Sequence, residues 1–389
     1  MKQYYVDFVE KEVNRRLIAS NDYSDTEFMQ LIETCIRELE KRVSITKEDA
    51  ETLSGIVFNS RRRLGLLQPL LDDPEVNEIM INGTESIYIE KKGKLLHYNE
   101  RYSDATQLFN VVQSMVAWVD RSVNESSPIV DTRLADGSRV NIVLKPVALN
   151  GPIVTIRKFP DKLFSMDELI MRESITEEES EFLMKCVRAR VNIFVSGGTS
   201  SGKTTFLNVL CGFVPENERV VTIEDSAELR LTPPNLVRLE TKNDNSEGKG
   251  GIPMRALIKT ALRMRPDRII VGEVRDEAAV DMLQAMCTGH DGSLSTCHAN
   301  SAEDVLTRLE TMALWEGNIN STAVRKQIAS GLDLIVHMQR DASMRRYVKE
   351  IAEVRGIENG EIVLNRLYFN GKFINSATEG GKLYEKLYA

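Results

Sequence analysis

The sequence predicts an α/β protein. Its larger domain is a mostly parallel sheet covered by helices, preceded by a smaller α+β domain and a helical N-terminal extension. Three observations carry that prediction. Residues 1–66 show helix-capping signals and amphipathic periodicity, and residues 67–160 switch to short runs broken by Asn-Gly and Asp-Gly turns. From residue 173, strand-type and helix-type runs alternate through about Ile335, the pattern of a parallel sheet with helical crossovers.

The elements follow in order. Ser24-Asp25-Thr26-Glu27 is a capping box opening an amphipathic stretch from Phe28 to Val43, and Thr46-Lys47-Glu48-Asp49 opens another. Arg61-Arg62-Arg63 is read as a solvated helix end, where cations suit the dipole. Val76–Ile81 and Ile87–Ile89 flank Asn82-Gly83, and Thr132–Ala135 and Ser138–Val143 flank Asp136-Gly137, giving two hairpins. Ser103–Val119 reads as a helix between them, and Gly151–Phe159 as a further strand. Residues 161–172 form a linker, starting at the Pro160–Phe164 stretch, and 173–389 the larger domain, whose first helix is capped by Thr176-Glu177-Glu178-Glu179. The polar, glycine-rich Asn243–Gly251 stretch is expected to be a mobile loop. Asn370-Gly371 signals a hairpin in an antiparallel C-terminal addition.

Composition narrows the function. With 389 residues and 42% hydrophobic content the chain can build two or three cores. A net charge of −8 does not suggest a general grip on nucleic acid. No apolar run approaches a bilayer span, so a cytoplasmic protein, at most peripheral to a membrane, is expected. The five scattered cysteines form no C-x-x-C pair and read as reduced, mostly buried thiols rather than a zinc site.

The most specific signal is Gly197-Gly198-Thr199-Ser200-Ser201-Gly202-Lys203-Thr204, a complete G-x-x-x-x-G-K-[ST] loop. A strand-type run, Val191–Val195, precedes it, and a helix-type run beginning Thr204-Thr205 follows. Such a loop curls its backbone N–H groups around phosphate oxygens at the positive end of a helix dipole. Residues 197–205 are therefore the expected ATP-binding segment, with Lys203 on the β- and γ-phosphates and the Thr204 hydroxyl on Mg²⁺.

Two apolar strands end in carboxylates: Val220–Asp225, carrying Glu224, and Arg268–Glu273. Carboxylates at strand carboxyl ends sit where parallel sheets bind ligands. One could position Mg²⁺ through water, and one could orient or deprotonate an attacking water. An Asp usually precedes the second Glu; Gly272 stands there. His290 and His298 flank one short strand and could sense a γ-phosphate or relay a proton. Arg263, Arg265, Arg268 and Arg275 flank the acidic strands, and the small domain adds Arg133, Arg139 and Arg157 as guanidinium candidates for the developing phosphate charge. Thr241-Lys242-Asn243-Asp244 mimics a guanine-reading motif but falls before the Glu273 strand, and no D-x-x-G follows the first acidic strand.

The order of these segments resembles the type II/type IV secretion ATPase superfamily. The loop, Ile223–Glu228, Leu262–Arg275 and Gly289–Asn300 look like its Walker A, Asp, Walker B and His boxes. Arg133-Leu134-Ala135-Asp136-Gly137-Ser138-Arg139 and Met264–Arg268 are most similar to the tight-adherence (Flp-type) pilus assembly ATPases. The resemblance implies a RecA-like C-terminal domain, a PAS-like N-terminal domain, a homo-hexameric ring and a polytopic inner-membrane platform protein as partner. It also implies that Arg133, Arg139 and Arg157 approach the phosphates, and leaves open which is the finger. Two other readings of a phosphate-loop core stay open at this point, a RecA-like nucleic-acid translocase and a P-loop phosphotransferase.

Overall fold

The computed structural model describes residues 3–17, 23–117, 123–159, 163–242, 244, 249–315, 317 and 320–388. Residues 118–119 of the expected helix, 160–162 of the linker, and 243 and 245–248 of the glycine-rich loop lie outside the described residues. The chain divides into two compact units, Met1–Asp161 and Lys162–Ala389.

The first unit has two hydrophobic cores. Helices α1 (Gln3–Leu17), α2 (Asp25–Glu40) and α3 (Lys47–Arg62) pack around Val9, Val13, Ile32, Leu39, Leu53 and Val57. Ser24 caps α2 reciprocally with Glu27, and Thr46 accepts from Asp49 N–H at the start of α3. A short turn of 3₁₀ helix and α4 (Gln68–Asp72) lead into a six-stranded antiparallel sheet. Its strands are β1 (Val76–Asn82), β2 (Ser86–Lys91), β3 (Lys94–Tyr98), β4 (Ile129–Arg133), β5 (Arg139–Val143) and β6 (Ile153–Arg157), in the order β3-β2-β1-β6-β5-β4. Helix α5 (Ala105–Ala117) presents Leu108, Val112 and Met115 to the core of this sheet. Gly83 turns the first hairpin at φ +63°, and a Cβ there would lie 2.3 Å from Asn150 O, so only glycine fits.

The second unit carries a nine-stranded sheet. After α6 (Met166–Met171) and α7 (Glu177–Arg188) come β7 (Ile193–Gly197), α8 (Lys203–Cys211), β8 (Val220–Glu224) and β9 (Leu236–Glu240). These are followed by α9 (Met254–Ala261), β10 (Arg268–Val271), α10 (Ala278–Cys287), β11 (Leu294–His298), α11 (Ala302–Leu314) and α12 (Ser321–Gly331). The chain closes with β12 (Leu334–Arg340), β13 (Arg346–Glu358), β14 (Glu361–Phe369), β15 (Lys372–Phe373) and α13 (Lys382–Tyr388). The strand order is β15-β14-β13-β12-β7-β11-β10-β8-β9. Strands β12, β7, β11, β10, β8 and β9 are parallel, and β13 to β15 add on antiparallel.

Helices cover both faces, with α9 to α12 over one core and α7, α8 and α13 over the other. Burial on two faces explains why β7, β8 and β10 are buried along their whole length and read as continuous apolar runs. Four of the five cysteines are buried, Cys287 is exposed, and all five are free. Among the described residues no helix is long and apolar enough to cross a membrane.

Candidate phosphate-binding and hydrolytic site

The loop after β7 leaves the carboxyl edge of the sheet at Gly197 (φ +155°). A Cβ on Gly197 would lie 2.4 Å from Met338 O and 2.5 Å from Ser201 Oγ, so the tight exit requires glycine. Ser200 and Gly202 adopt left-handed backbone at φ +57° and +93°. Gly202 caps α8 without any side-chain hydrogen bond. The leading N–H groups of α8, at Lys203, Thr204 and Thr205, are thus unspent on a capping side chain. Gly198, Thr199 and Ser200 are exposed, and the Ser201 hydroxyl is buried with no partner among the described residues. A glycine-lined curl, an uncapped helix start and a lysine at its first position suit a polyphosphate.

Lys203 lies mostly buried, its Nζ donating to the carbonyls of Gly197 (3.1 Å) and Gly198 (3.0 Å). It also meets His298 Nδ1 at 3.3 Å. An ammonium can only donate, so Nδ1 accepts and the proton of the neutral ring sits on Nε2. That Nε2 faces Glu273 Oε1 at 3.4 Å. Burial, and then the Lys203 charge, push the His298 pKa down against the pull of Glu273.

Glu273 lies two residues beyond β10. Burial pushes its carboxyl up, but the Arg275 guanidinium outweighs that, with help from His298 and Lys203, and holds it below the usual carboxylate range. Arg275 grips both oxygens, at 2.9 and 3.0 Å, and its Nη1 is 3.7 Å from Asp225.

Glu224 ends β8 and is almost fully buried. Its Oε1 accepts from Glu228 N–H and Leu229 N–H, each at 2.9 Å. Its Oε2 has no hydrogen-bond partner among the described residues. Burial raises its pKa, and the two backbone donors oppose that rise. The missing Asp at position 272 has a steric reason. A Cβ on Gly272 would sit 3.1 Å from Glu224 Cγ, so glycine leaves the room that Glu224 occupies. An orphaned carboxylate oxygen on Glu224, at the carboxyl edge of the strands, fits a hydrated Mg²⁺ ion.

The structure therefore gathers Lys203, His298, Glu273 and Arg275 into one contact chain, but it does not bring His290 there. Leu294 pairs with Ile193 and His298 with Gly197, so His290 lies beyond the opposite, amino end of β11. At that end its carbonyl accepts from Ser293 Oγ at 2.7 Å. The two histidines thus stand at opposite ends of the five-residue strand β11, as the sequence placed them, and His298 is the one beside the loop. Arg268 is likewise at the amino edge. Its guanidinium is fully buried, paired with Glu218 and bonded to Val187 O at 2.7 Å. Arg263 and Arg265 lie exposed between α9 and β10, again before the strand rather than after it. Of the four flanking arginines, Arg275 alone reaches the carboxylates.

In the first unit, Arg133, Arg139 and Arg157 occupy one cross-strand row: Arg133 faces Arg139, and Arg139 faces Arg157. Glu78 on β1 continues the row opposite Arg157. Like charges directly opposed cost stability.

The sequence reading missed two contacts. His337 on β12 meets Ser196, just before the loop, at 3.0 Å (Nδ1···Oγ). Arg346 donates to Ser200 O at 3.0 Å. Both partners lie more than 140 positions away, and no local pattern marks either.

Residues 61–359 match the type II/IV secretion system protein family. A putative conjugal transfer protein of Mycobacterium tuberculosis is 33% identical over 300 residues, 76% of this chain and 85% of that protein. The type IV secretion system protein PtlH of Bordetella pertussis is 32% identical over 319 residues, covering 74% of this chain and 93% of its own length. Among solved structures, the ATPase DotB of Legionella pneumophila aligns over 74% of this chain and 79% of its own. Its TM-score is 0.51 at 21% identity, a likeness of fold.

Proposed function

The chain belongs to the type II/IV secretion system protein family, and from that premise we propose that it is a Mg²⁺-dependent ATPase. In this reading it works as a homo-hexameric ring motor powering pilus assembly of the tight-adherence type. The observation that carries the ATPase reading is the contact chain Lys203–His298–Glu273 running directly from the phosphate loop.

Residues 197–205 hold the triphosphate by backbone N–H groups, and Lys203 turns from the loop carbonyls to the β- and γ-phosphates. Thr204 would be the ligand of a Mg²⁺ ion and Glu224 and Glu273 would hold it through water, and the ion would supply neutralisation of phosphate charge. Glu273 is ionised at neutral pH because Arg275 holds its carboxyl low, so it can orient the attacking water and accept its proton. His298, neutral with its proton on Nε2, links Lys203 to that base. The resemblance adds Arg133, Arg139 and Arg157 to the proposal as guanidinium candidates for the developing phosphate charge. His290 belongs to this proposal only as a residue of the same box, acting from the far end of β11.

The tight-adherence assignment is supported by the Arg133–Arg139 and Met264–Arg268 stretches. It implies a polytopic inner-membrane platform protein as partner, a cytoplasmic location at the membrane through that partner, and no nucleic acid. A second reading, a motor for type IV secretion or conjugal transfer, is favoured by the names of the relatives in Bordetella pertussis and Mycobacterium tuberculosis.

Glu273→Gln tests the mechanism. ATP binding should persist while turnover falls by about 10²- to 10⁴-fold. Normal turnover in that variant removes Glu273 from the chemistry.

A further inference from the structure

Strands β12 and β13 flank the phosphate loop on the side away from Glu273 and His298. Met338 on β12 pairs with Gly197, and Arg340 on β12 faces Arg346, the first residue of β13. The Arg346 Nε donates to Ser200 O at 3.0 Å across 146 positions of sequence. Two backbone features meet at this contact. Ser200 holds a left-handed φ of +57°, a conformation disfavoured for a residue with a Cβ. Gly202 lies beneath the arginine stem, where an added Cβ would stand 3.4 Å from Arg346 Cδ.

We propose that Arg346 is a positioning residue for nucleotide binding: its hydrogen bond to the Ser200 carbonyl holds the phosphate loop in the conformation that presents its N–H groups to phosphate. This rests on the phosphate-loop reading above. A cation donating to a carbonyl is stronger than a neutral donor and offsets the left-handed conformation at Ser200. Without it, the exposed segment Gly198–Ser200 relaxes, and binding must reorder it each time. The effect belongs to the loop as a whole, so it falls on ATP and ADP alike. The γ-phosphate chemistry, on the β11 and β10 side of β7, is left intact.

The test is nucleotide binding and turnover by the full chain carrying Arg346→Ala, Arg346→Lys, Ser200→Gly, and Arg346→Ala with Ser200→Gly. Arg346→Ala should weaken ATP and ADP by about tenfold each, raising KM while kcat stays within about twofold. Arg346→Lys should recover part of the loss. In the Ser200→Gly background the cost of Arg346→Ala should shrink to about twofold, because glycine adopts the left-handed region freely. An unchanged affinity with only a lower melting temperature overturns the proposal. So does a loss confined to ATP, or an equal loss in the Ser200→Gly background. Lys203→Ala separates the two levels. If it too binds and turns over normally, the phosphate-loop reading fails. If it is impaired and Arg346→Ala is silent, only the role of Arg346 fails.

Discussion

Gly272 and Glu224 explain each other. A Walker B strand with an Asp at position 272 could not keep Glu224 where it is, since even a methyl group there would meet Glu224 Cγ at 3.1 Å. In the proposed site Glu224 on the neighbouring strand β8 takes the place of that Asp, and the bare Cα just past β10 leaves it room. Gly272→Ala should therefore displace Glu224 by a few tenths of an ångström and lower kcat by roughly tenfold or more, since small misplacements at a reacting centre are costly. Unaltered kcat would mean that Glu224 has no positional role. The sequence showed the departure at Gly272, but its reason was invisible there, because the two residues are 48 positions apart and meet only through parallel pairing of β8 and β10.

At the scale of elements, β12 joins the chemistry indirectly. His337 is buried against Ser196, the residue preceding the loop, and burial with Lys349 nearby pushes its pKa down to about 4. The unfolded chain takes that proton near the ordinary histidine value of about 6.5. Between those values the unfolded state binds more protons, so the stability present above pH 6.5 is lost as pH falls toward 4. The full difference amounts to about 3 kcal/mol. Urea unfolding at pH 7 and pH 4.5 should show a smaller acid loss, by on the order of 2–3 kcal/mol, in His337→Gln. An identical loss in both proteins would assign the acid sensitivity elsewhere.

Elements themselves were largely legible. Capping boxes at Ser24 and Thr176 stand as read, and Asn370 and Gly371 both take positive φ in the turn between β14 and β15. The equivalent Asn359-Gly360 turn between β13 and β14 went unread, although its two positive φ values follow the same chemistry.

At the scale of the molecule, two compact units each hold part of the proposed machinery. The carboxylates, lysine and His298 belong to the second unit, and the Arg133–Arg139–Arg157 row belongs to the first. In the proposed ring, turnover depends on assembly. The per-chain ATPase rate should then climb steeply and saturate as protein concentration rises from the nanomolar to the micromolar range, with Mg²⁺ present. A substantial flat rate from a monomer at nanomolar dilution would instead mean a self-contained site and would favour a phosphotransferase-like enzyme.

Local chemistry was enough to read the phosphate loop, the two acid-tipped strands, the hairpin turns and the α/β class. Each depends on residues within a few positions of one another, where backbone sterics and periodicity act directly on neighbours. Pairing across the sheet settled the rest. Register sent His298 to the loop and His290 to the far edge. It buried Arg268 against Glu218 while leaving Arg275 on Glu273, aligned three arginines in one row, and carried Arg346 to Ser200. Those outcomes depend on which strands lie side by side and in which register, a property of the folded sheet that no short window of sequence contains.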